Sequence, residues 1–384
     1  MHRKILYIHD EKRIKFGANY INELIVQKLR KSGYVVDTIY PKQSITMFSK
    51  SLKGITNILF FYSLINKKFH SKKYKIIQGT TYTVLPFLDN GVKVVSHFGS
   101  TTFGFLKSVP STKKLASEKK ELLKIFSKLK KRLNITDYSV SIKSLQDINK
   151  IKIEVARKSD AVIATSKKVK RELVKCGVKK EKIFLVHNAI EDYWFKTKIK
   201  KSVKQKANLV YLGRMGDDTF TIKLKGISRL FYVLKRFPEN NKKIIGMCHN
   251  VVSFQKFFLK LPNAQLFLSL KKDKIPQNIS ENFGDIYINT GRYEGFCLSL
   301  VEAMSQGIVP ITFSIGVVPE IIKNGKNGYI VKSLDEMVKK INYLQNKPKL
   351  RKKMALNAVK TSKQFNSNDL VKKLDKIYSS LVKN

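Results

Sequence analysis

Residues Asn289 to Val331 read NTGRYEGFCLSLVEAMSQGIVPITFSIGVVPEIIKNGKNGYIV. An apolar run ends near Asn289, a turn containing Glu294-Gly295 follows, and apolar residues then recur at helical spacing from Leu298 to Gln306. Two more apolar runs, Val309 to Thr312 and Gly328 to Val331, are separated by Gly316, Pro319-Glu320 and the turn-forming Asn324-Gly325-Lys326-Asn327-Gly328. Strands spaced by helical segments in this way belong to a parallel sheet, whose crossovers carry the helices. A helix starting near Cys297 turns the backbone N–H groups of its first turn toward the end of the preceding strand, which makes an anion site. Glu294 stands just ahead of that helix and Glu302 about one turn inside it. A carboxylate on each side of a bound phosphate suits hydroxyl donors. Spacing alone leaves a second reading open, in which Glu302 is a solvated helix residue.

The same alternation extends over the whole chain. Buried strands are predicted at Ile5 to Ile8, Val35 to Ile39, Lys75 to Gln78, Val92 to Ser96, Ala161 to Ala164 and Ile183 to Val186 in the first half. In the second half they fall at Leu209 to Leu212, Lys243 to Ile245, Ala264 to Leu268, Asp285 to Asn289 and the two runs already named. Helices are predicted at Asn19 to Ser32, before Gly33, and at Ile227 to Phe237 and Leu298 to Gln306. The fold class is therefore α/β, with two Rossmann-like doubly wound domains whose strand C-terminal edges face a cleft. The first domain is expected over residues 1–195, a lysine-rich linker over 196–206, and the second domain over 207–365. A C-terminal helix at 366–384 is expected to pack back on the first domain.

Composition narrows the function classes. A chain of 384 residues with 43% hydrophobic residues has the volume for two cores and the apolar content to order them. Lys and Arg number 76 against 28 Asp and Glu, a formal net charge of +48. Such a surface attracts polyanions and anionic lipid, although an A/T-rich gene produces the same lysine excess without function. Cys176, Cys248 and Cys297 are far apart and include no CxxC pair, which argues against a disulfide framework and a cysteine zinc site, and for a cytoplasmic setting. The N-terminal apolar run is too short for a signal-peptide core, and Ile55 to Ile65 falls short of the ~18 to 20 residues of a membrane span. No carboxylate, Ser-His-Asp or Cys-His grouping makes a convincing metal or nucleophile site, so no metal and no cofactor are expected.

The segment EGFCLSLVEAMSQGIVP resembles the Glu-x7-Glu signature of the retaining GT-B glycosyltransferases, particularly glycosyltransferase family 4. The resemblance implies transfer of a sugar from a nucleotide-diphosphate-sugar of UDP or GDP type, with Glu302 on the ribose hydroxyls and Glu294 on the donor sugar. Gly295, Phe296, Cys297 and Leu298 would offer main-chain N–H groups to sugar hydroxyls and diphosphate. At the opening of the second domain, NLVYLGR leads into Gly213-Arg214 and, after a longer interval than the family's, Lys225-Gly226. Family members use such a pair to bind the leaving diphosphate, and Arg or Lys there stabilises the charge that develops as the glycosidic bond breaks. Lys223 competes with Lys225 for this role.

Resemblance in the first domain rests on two places. Phe16-Gly17-Ala18-Asn19 is similar to the family's first glycine-rich loop, which gives Gly17 a donor-side role, and His97 matches the histidine that faces the donor sugar. Ser159 to Ser166, His187-Asn188-Ala189-Ile190, Gly246 to His249 and Phe267-Leu268-Ser269 match further family segments, with Ala189, Cys248 and Ser269 departing from its glycines. Ser111 to Leu133 repeats apolar residues on one helical face with lysines around it, either a core-packed helix or one lying on a membrane surface. Together these readings predict transfer to a cell-envelope glycan or lipid-linked acceptor by an enzyme peripheral on the inner face of the plasma membrane. The rivals are a nucleotide-sugar epimerase, a sugar-binding protein without catalysis, and a nucleic-acid-binding protein, for which no aromatic-rich RNA-binding motif is present.

Overall fold

A computed structural model describes residues 4–10, 18–40, 73–109, 144–216, 219–248, 251–268 and 270–383. Gly17, Asp217-Asp218, His249, Ser269 and the whole of Ser111 to Leu133 lie outside the described residues. The chain forms two compact units, Met1–His187 with Leu370–Asn384, and Asn188–Asp369.

The first unit is built on six parallel strands: β1 (Lys4–Ile8), β2 (Val35–Ile39), β3 (Ile76–Thr80), β4 (Lys93–Phe98), β5 (Ala161–Ala164) and β6 (Ile183–Leu185), in the order β2-β1-β3-β4-β5-β6. The four inner strands β1, β3, β4 and β5 are buried along nearly their whole length, as a sheet covered on both faces requires, while the edge strands β2 and β6 are only partly covered. The Ala18–Lys31 helix buries Ile21, Leu24, Ile25 and Leu29, a single stripe at helical spacing, and its Arg30 Nη2 donates to the Val36 carbonyl at 2.6 Å. Asp160 Oδ2 accepts from the Val94 amide at 2.8 Å and lashes the start of β5 to β4. The C-terminal Ser367–Lys383 helix belongs to this unit from Leu370 onward, and its Tyr378 hydroxyl donates to Gln78 while Asp375 accepts from Tyr34.

The second unit repeats the plan with β7 (Leu209–Arg214), β8 (Lys242–Met247), β9 (Ala264–Leu268), β10 (Ile286–Asn289), β11 (Val309–Phe313) and β12 (Tyr329–Val331), all parallel, in the order β12-β11-β10-β7-β8-β9. Alternate residues feed two cores. Leu209, Tyr211, Ile244, Ile286 and Ile288 pack into one, Val210, Leu212, Ile245 and Tyr287 into the other, as the period of two demands. The strand order reverses between β7 and β10, because β8 and β9 extend the sheet to one side of β7 while β10, β11 and β12 extend it to the other.

The expected boundary at 195 and linker at 196–206 need correction. Ile190 and Trp194 are fully buried in a core of the second unit, the Gln306 side-chain amide donates to the Trp194 carbonyl at 2.6 Å, and Val203 lies against Gly284. The buried Arg351 guanidinium donates to the carbonyls of Lys204 and Gln205. A lysine-rich composition suggested solvent, but the backbone carbonyls and a few apolar anchors of this stretch bind it to the unit that follows.

Candidate functional site

In a doubly wound sheet the crevice forms where the strand order reverses, outside the strand C-terminal ends. In the second unit that point lies between Gly213-Arg214, which end β7, and the segment following Asn289 at the end of β10. Arg214 is exposed there. Gly213 sits beside the first turn of the Leu298–Ser305 helix, since a Cβ on it would lie 3.7 Å from Ser299 Oγ. The Ser299 hydroxyl is itself 2.9 Å from the hydroxyl of Tyr287 on β10.

Lys225 ends the Thr219–Lys225 helix and pairs through its ammonium with the Glu294 carboxylate, both half-buried. Lys223 is exposed. The geometry thus separates the two lysines that spacing left in competition. The turn that carries Lys225 is locked to the strand end: Arg292 N donates to the Leu224 carbonyl at 2.8 Å and Thr290 Oγ1 to the Gly226 carbonyl at 2.8 Å. Gly226 has φ +66, and a Cβ there would lie 2.0 Å from the Thr290 carbonyl oxygen, so only glycine allows this approach.

Asn289 braces the loop between strand and helix, accepting from the Gly291 amide at 2.9 Å and donating toward Cys297 Sγ at 3.3 Å. Cys297 is the residue before the helix, in the left-handed region at φ +90, and its side chain makes no cap. A non-glycine residue held in that region stores backbone strain. Its thiol is buried and pushed up to about 12 by burial and by Glu294, which makes it a packing group and not a nucleophile. Phe296 is also buried, and its carbonyl accepts from Val317 N at 2.9 Å. Gly316, at φ +50, permits this contact, because a Cβ would lie 2.5 Å from the Phe296 oxygen.

Glu302 has two readings open from spacing alone. The reading as a solvated helix residue fails, since its side chain is only 6% exposed. Lys272 Nζ lies 3.2 Å from Glu302 Oε1 and 2.6 Å from Glu191 Oε1, with the Lys272 and Glu191 side chains equally covered. The Glu302 carboxyl stands above its ordinary value, because burial pushes it up and Lys272 offsets only part of that. Sequence reasoning missed Lys272 and Glu191. Glu191 follows directly on the noted His187 to Ile190 segment, a usable signal, but Lys272 sits in the run Lys271-Lys272-Asp273-Lys274 and is indistinguishable there from surface lysine.

The remaining expected residues separate. His97 lies in the first unit on β4, fully buried, with its imidazole pushed down to about 4 by burial and so neutral. Ser166 caps the Lys167–Lys175 helix, and Asn327 ties its turn to the Ile321 carbonyl at 2.9 Å, both structural roles. Among the described residues, no three His, Cys, Asp or Glu side chains group as a metal site, and no helix is long and apolar enough to cross a membrane.

Residues 192–361 match the family described as glycosyl transferases group 1. A Klebsiella pneumoniae protein, described as an uncharacterized 41.2 kDa protein in cps region, is 25% identical over an alignment of 404 positions, gaps included, that covers 97% of this chain and 99% of that one. An Anabaena protein, HepE, solved in complex with UDP and glucose, aligns with TM-score 0.68 at 16% identity over 99% of this chain and 100% of its own. The lipopolysaccharide outer core galactosyltransferase WaaB in its apo form aligns with TM-score 0.66 at 17% identity, covering 98% and 99%. The two structures share with this chain the GT-B plan of two parallel-sheet Rossmann-like units.

Proposed function

We propose that this chain, whose residues 192–361 match the glycosyl transferases group 1 family, is a GT-B glycosyltransferase that transfers a hexose from a nucleoside-diphosphate-sugar, with retention, to a cell-envelope glycan or lipid-linked acceptor. The observation that carries this reading is the Lys225–Glu294 pair beside the end of β10, with Arg214 at the end of the neighbouring β7, where the strand order of the second unit reverses. As the anomeric C–O bond to the diphosphate breaks, negative charge grows on the phosphate oxygens. Arg214 and Lys225 supply positive charge for it, and Lys225, held by Glu294, needs no reorganisation at that moment. Glu294 holds the Lys225 ammonium in place and accepts from donor-sugar hydroxyls. The main-chain N–H groups of Gly295 to Leu298 serve the sugar and diphosphate, and Glu302 serves the ribose. The acceptor hydroxyl attacks the face the diphosphate leaves, and a departing phosphate oxygen takes its proton, so no protein nucleophile is needed.

Two similarities support the choice of substrates: the Anabaena protein holds UDP and glucose, and the galactosyltransferase acts in the lipopolysaccharide outer core. A thermal-shift screen of UDP- and GDP-sugars, followed by mass analysis of products from envelope lipids, tests the proposal. The expected result is stabilisation by one donor series and an acceptor heavier by one hexose, with turnover intact in EDTA. Donor conversion without an acceptor identifies an epimerase instead, and donor binding without any transfer identifies a sugar-binding protein. Activity lost in EDTA and restored only by a divalent ion overturns the metal-independent part.

A further inference from the structure

The Glu191, Lys272 and Glu302 side chains make a buried electrostatic cluster inside the second unit. Two carboxylates around one ammonium leave an excess negative charge where water does not screen it, an arrangement that costs stability unless further donors arrive. Burial alone pulls the Lys272 ammonium down, but Glu302 and Glu191 more than offset this and hold it above its ordinary value. For Glu302, burial acts upward, Lys272 downward and Glu191 upward again. Several ionisable groups on elements packed against the Leu298–Ser305 helix, which carries Glu302, have partners of their own. Tyr211 and Tyr287, on β7 and β10, both respond to Cys297, and Tyr211 also to Glu294 and Arg214. Arg351, on the Pro348–Ser362 helix, donates to the carbonyls of Leu344, Gln345, Lys204 and Gln205.

We propose that Lys272 is a positioning residue of the nucleotide site, holding Glu302 as an oriented carboxylate for the ribose hydroxyls of a nucleoside diphosphate, with Glu191 anchoring the ammonium. The inference rests on the reading that Glu302 meets the ribose. Ribose hydroxyls are neutral donors, so they satisfy the excess negative charge without adding a further ion to the buried cluster. Glu302 must be ionised to accept from both of them. Without Lys272, two adjacent buried carboxylates share a proton at neutral pH, and Glu302 loses acceptor strength.

The test is calorimetric titration with whichever of free UDP and GDP binds the wild-type protein, from pH 5 to 9, on Lys272→Met, Glu191→Gln, Glu302→Gln and the double variant Lys272→Met/Glu302→Gln. Glu302→Gln should weaken binding ~10-fold or more at every pH, the loss of a charged hydrogen bond. Lys272→Met should match it at pH 7 and recover toward wild type by pH 9, and the double variant should bind no more weakly than Glu302→Gln alone. Glu191→Gln removes a charge that raises Glu302, so its binding should persist to lower pH than in the wild type. Lys272→Met binding like wild type, or losing the same factor at every pH and adding to Glu302→Gln, overturns the proposal. If Lys272→Met does not fold, the isosteric Glu191→Gln profile decides, and an unshifted profile overturns it. If Glu302→Gln binds as the wild type does, or neither diphosphate binds the wild type, the site reading itself fails and this inference with it.

Discussion

Arg214 and the Lys225–Glu294 pair differ in how they are held, and mutation should separate them. Arg214 is exposed at a strand end, so its removal leaves packing intact and takes away only charge. Replacement by Ala should lower turnover by ~10² or more with little change in melting temperature, and an active variant would place the diphosphate elsewhere. Glu294 and Lys225 are one unit, and Glu294→Gln keeps the shape while weakening the hold on the ammonium. In the proposed reading it impairs transfer yet leaves the affinity for free nucleoside diphosphate within about twofold, whereas Glu302→Gln lowers that affinity. Calorimetry with the diphosphate alone distinguishes them, and equal losses would show the two roles wrongly assigned.

The elements that present these residues depend on two close backbone approaches. Gly226→Ala would place a Cβ 2.0 Å from the Thr290 oxygen in a left-handed backbone, so the turn carrying Lys225 must move. A loss of about 1–3 kcal/mol in urea unfolding is expected, together with reduced turnover, because the same turn seats the cation. An alanine variant as stable and active as the wild type would mean that Thr290 and Gly226 are not tied as described. The strands behind these turns were readable from alternating apolar runs, and all twelve occur within two residues of their expected ends. Helices were less readable. The Ser144–Lys158 and Pro348–Ser362 helices are lysine-rich, and their apolar stripes are thin against that background.

For the whole molecule, charge sets two further expectations. His97 is buried and neutral with its imidazole near 4, while in the unfolded chain it takes a proton near the ordinary 6.5. Between those values the unfolded state binds more protons, so stability falls as pH drops from about 6.5 to 4, by about 3 kcal/mol for this group. Urea unfolding followed by circular dichroism should show that slope, and His97→Gln should flatten it; an unchanged slope would assign the acid sensitivity to other groups. The net charge of +48 underlies the proposed membrane attachment, each lysine near an anionic surface adding ~1 kcal/mol at most before salt screens it. Vesicle sedimentation should require anionic lipid and weaken with salt. Reversing Lys119, Lys120, Lys130 and Lys131 to Glu should cost more binding than reversing four lysines of the second unit, and equal effects would reduce the charge to composition.

Sequence alone determined the strands, their division between two Rossmann-like halves, and the Gly213-Arg214 and Glu294-Glu302 segments. These follow from local patterns, because apolar periodicity and turn residues act over a few positions. Tertiary structure alone paired Lys225 with Glu294 while leaving Lys223 exposed, enclosed Glu302 with Lys272 and Glu191, and began the second unit at Asn188. Lys225 and Glu294 are 69 positions apart, and Lys272 and Glu191 81. Pairings of that span depend on the order in which strands enter the sheet and on which side chains are left without water. In a chain with 76 basic residues, no local pattern marks the few whose ammonium or guanidinium groups are buried. Packing does, because a buried charge persists only where a carboxylate or carbonyl oxygens receive it.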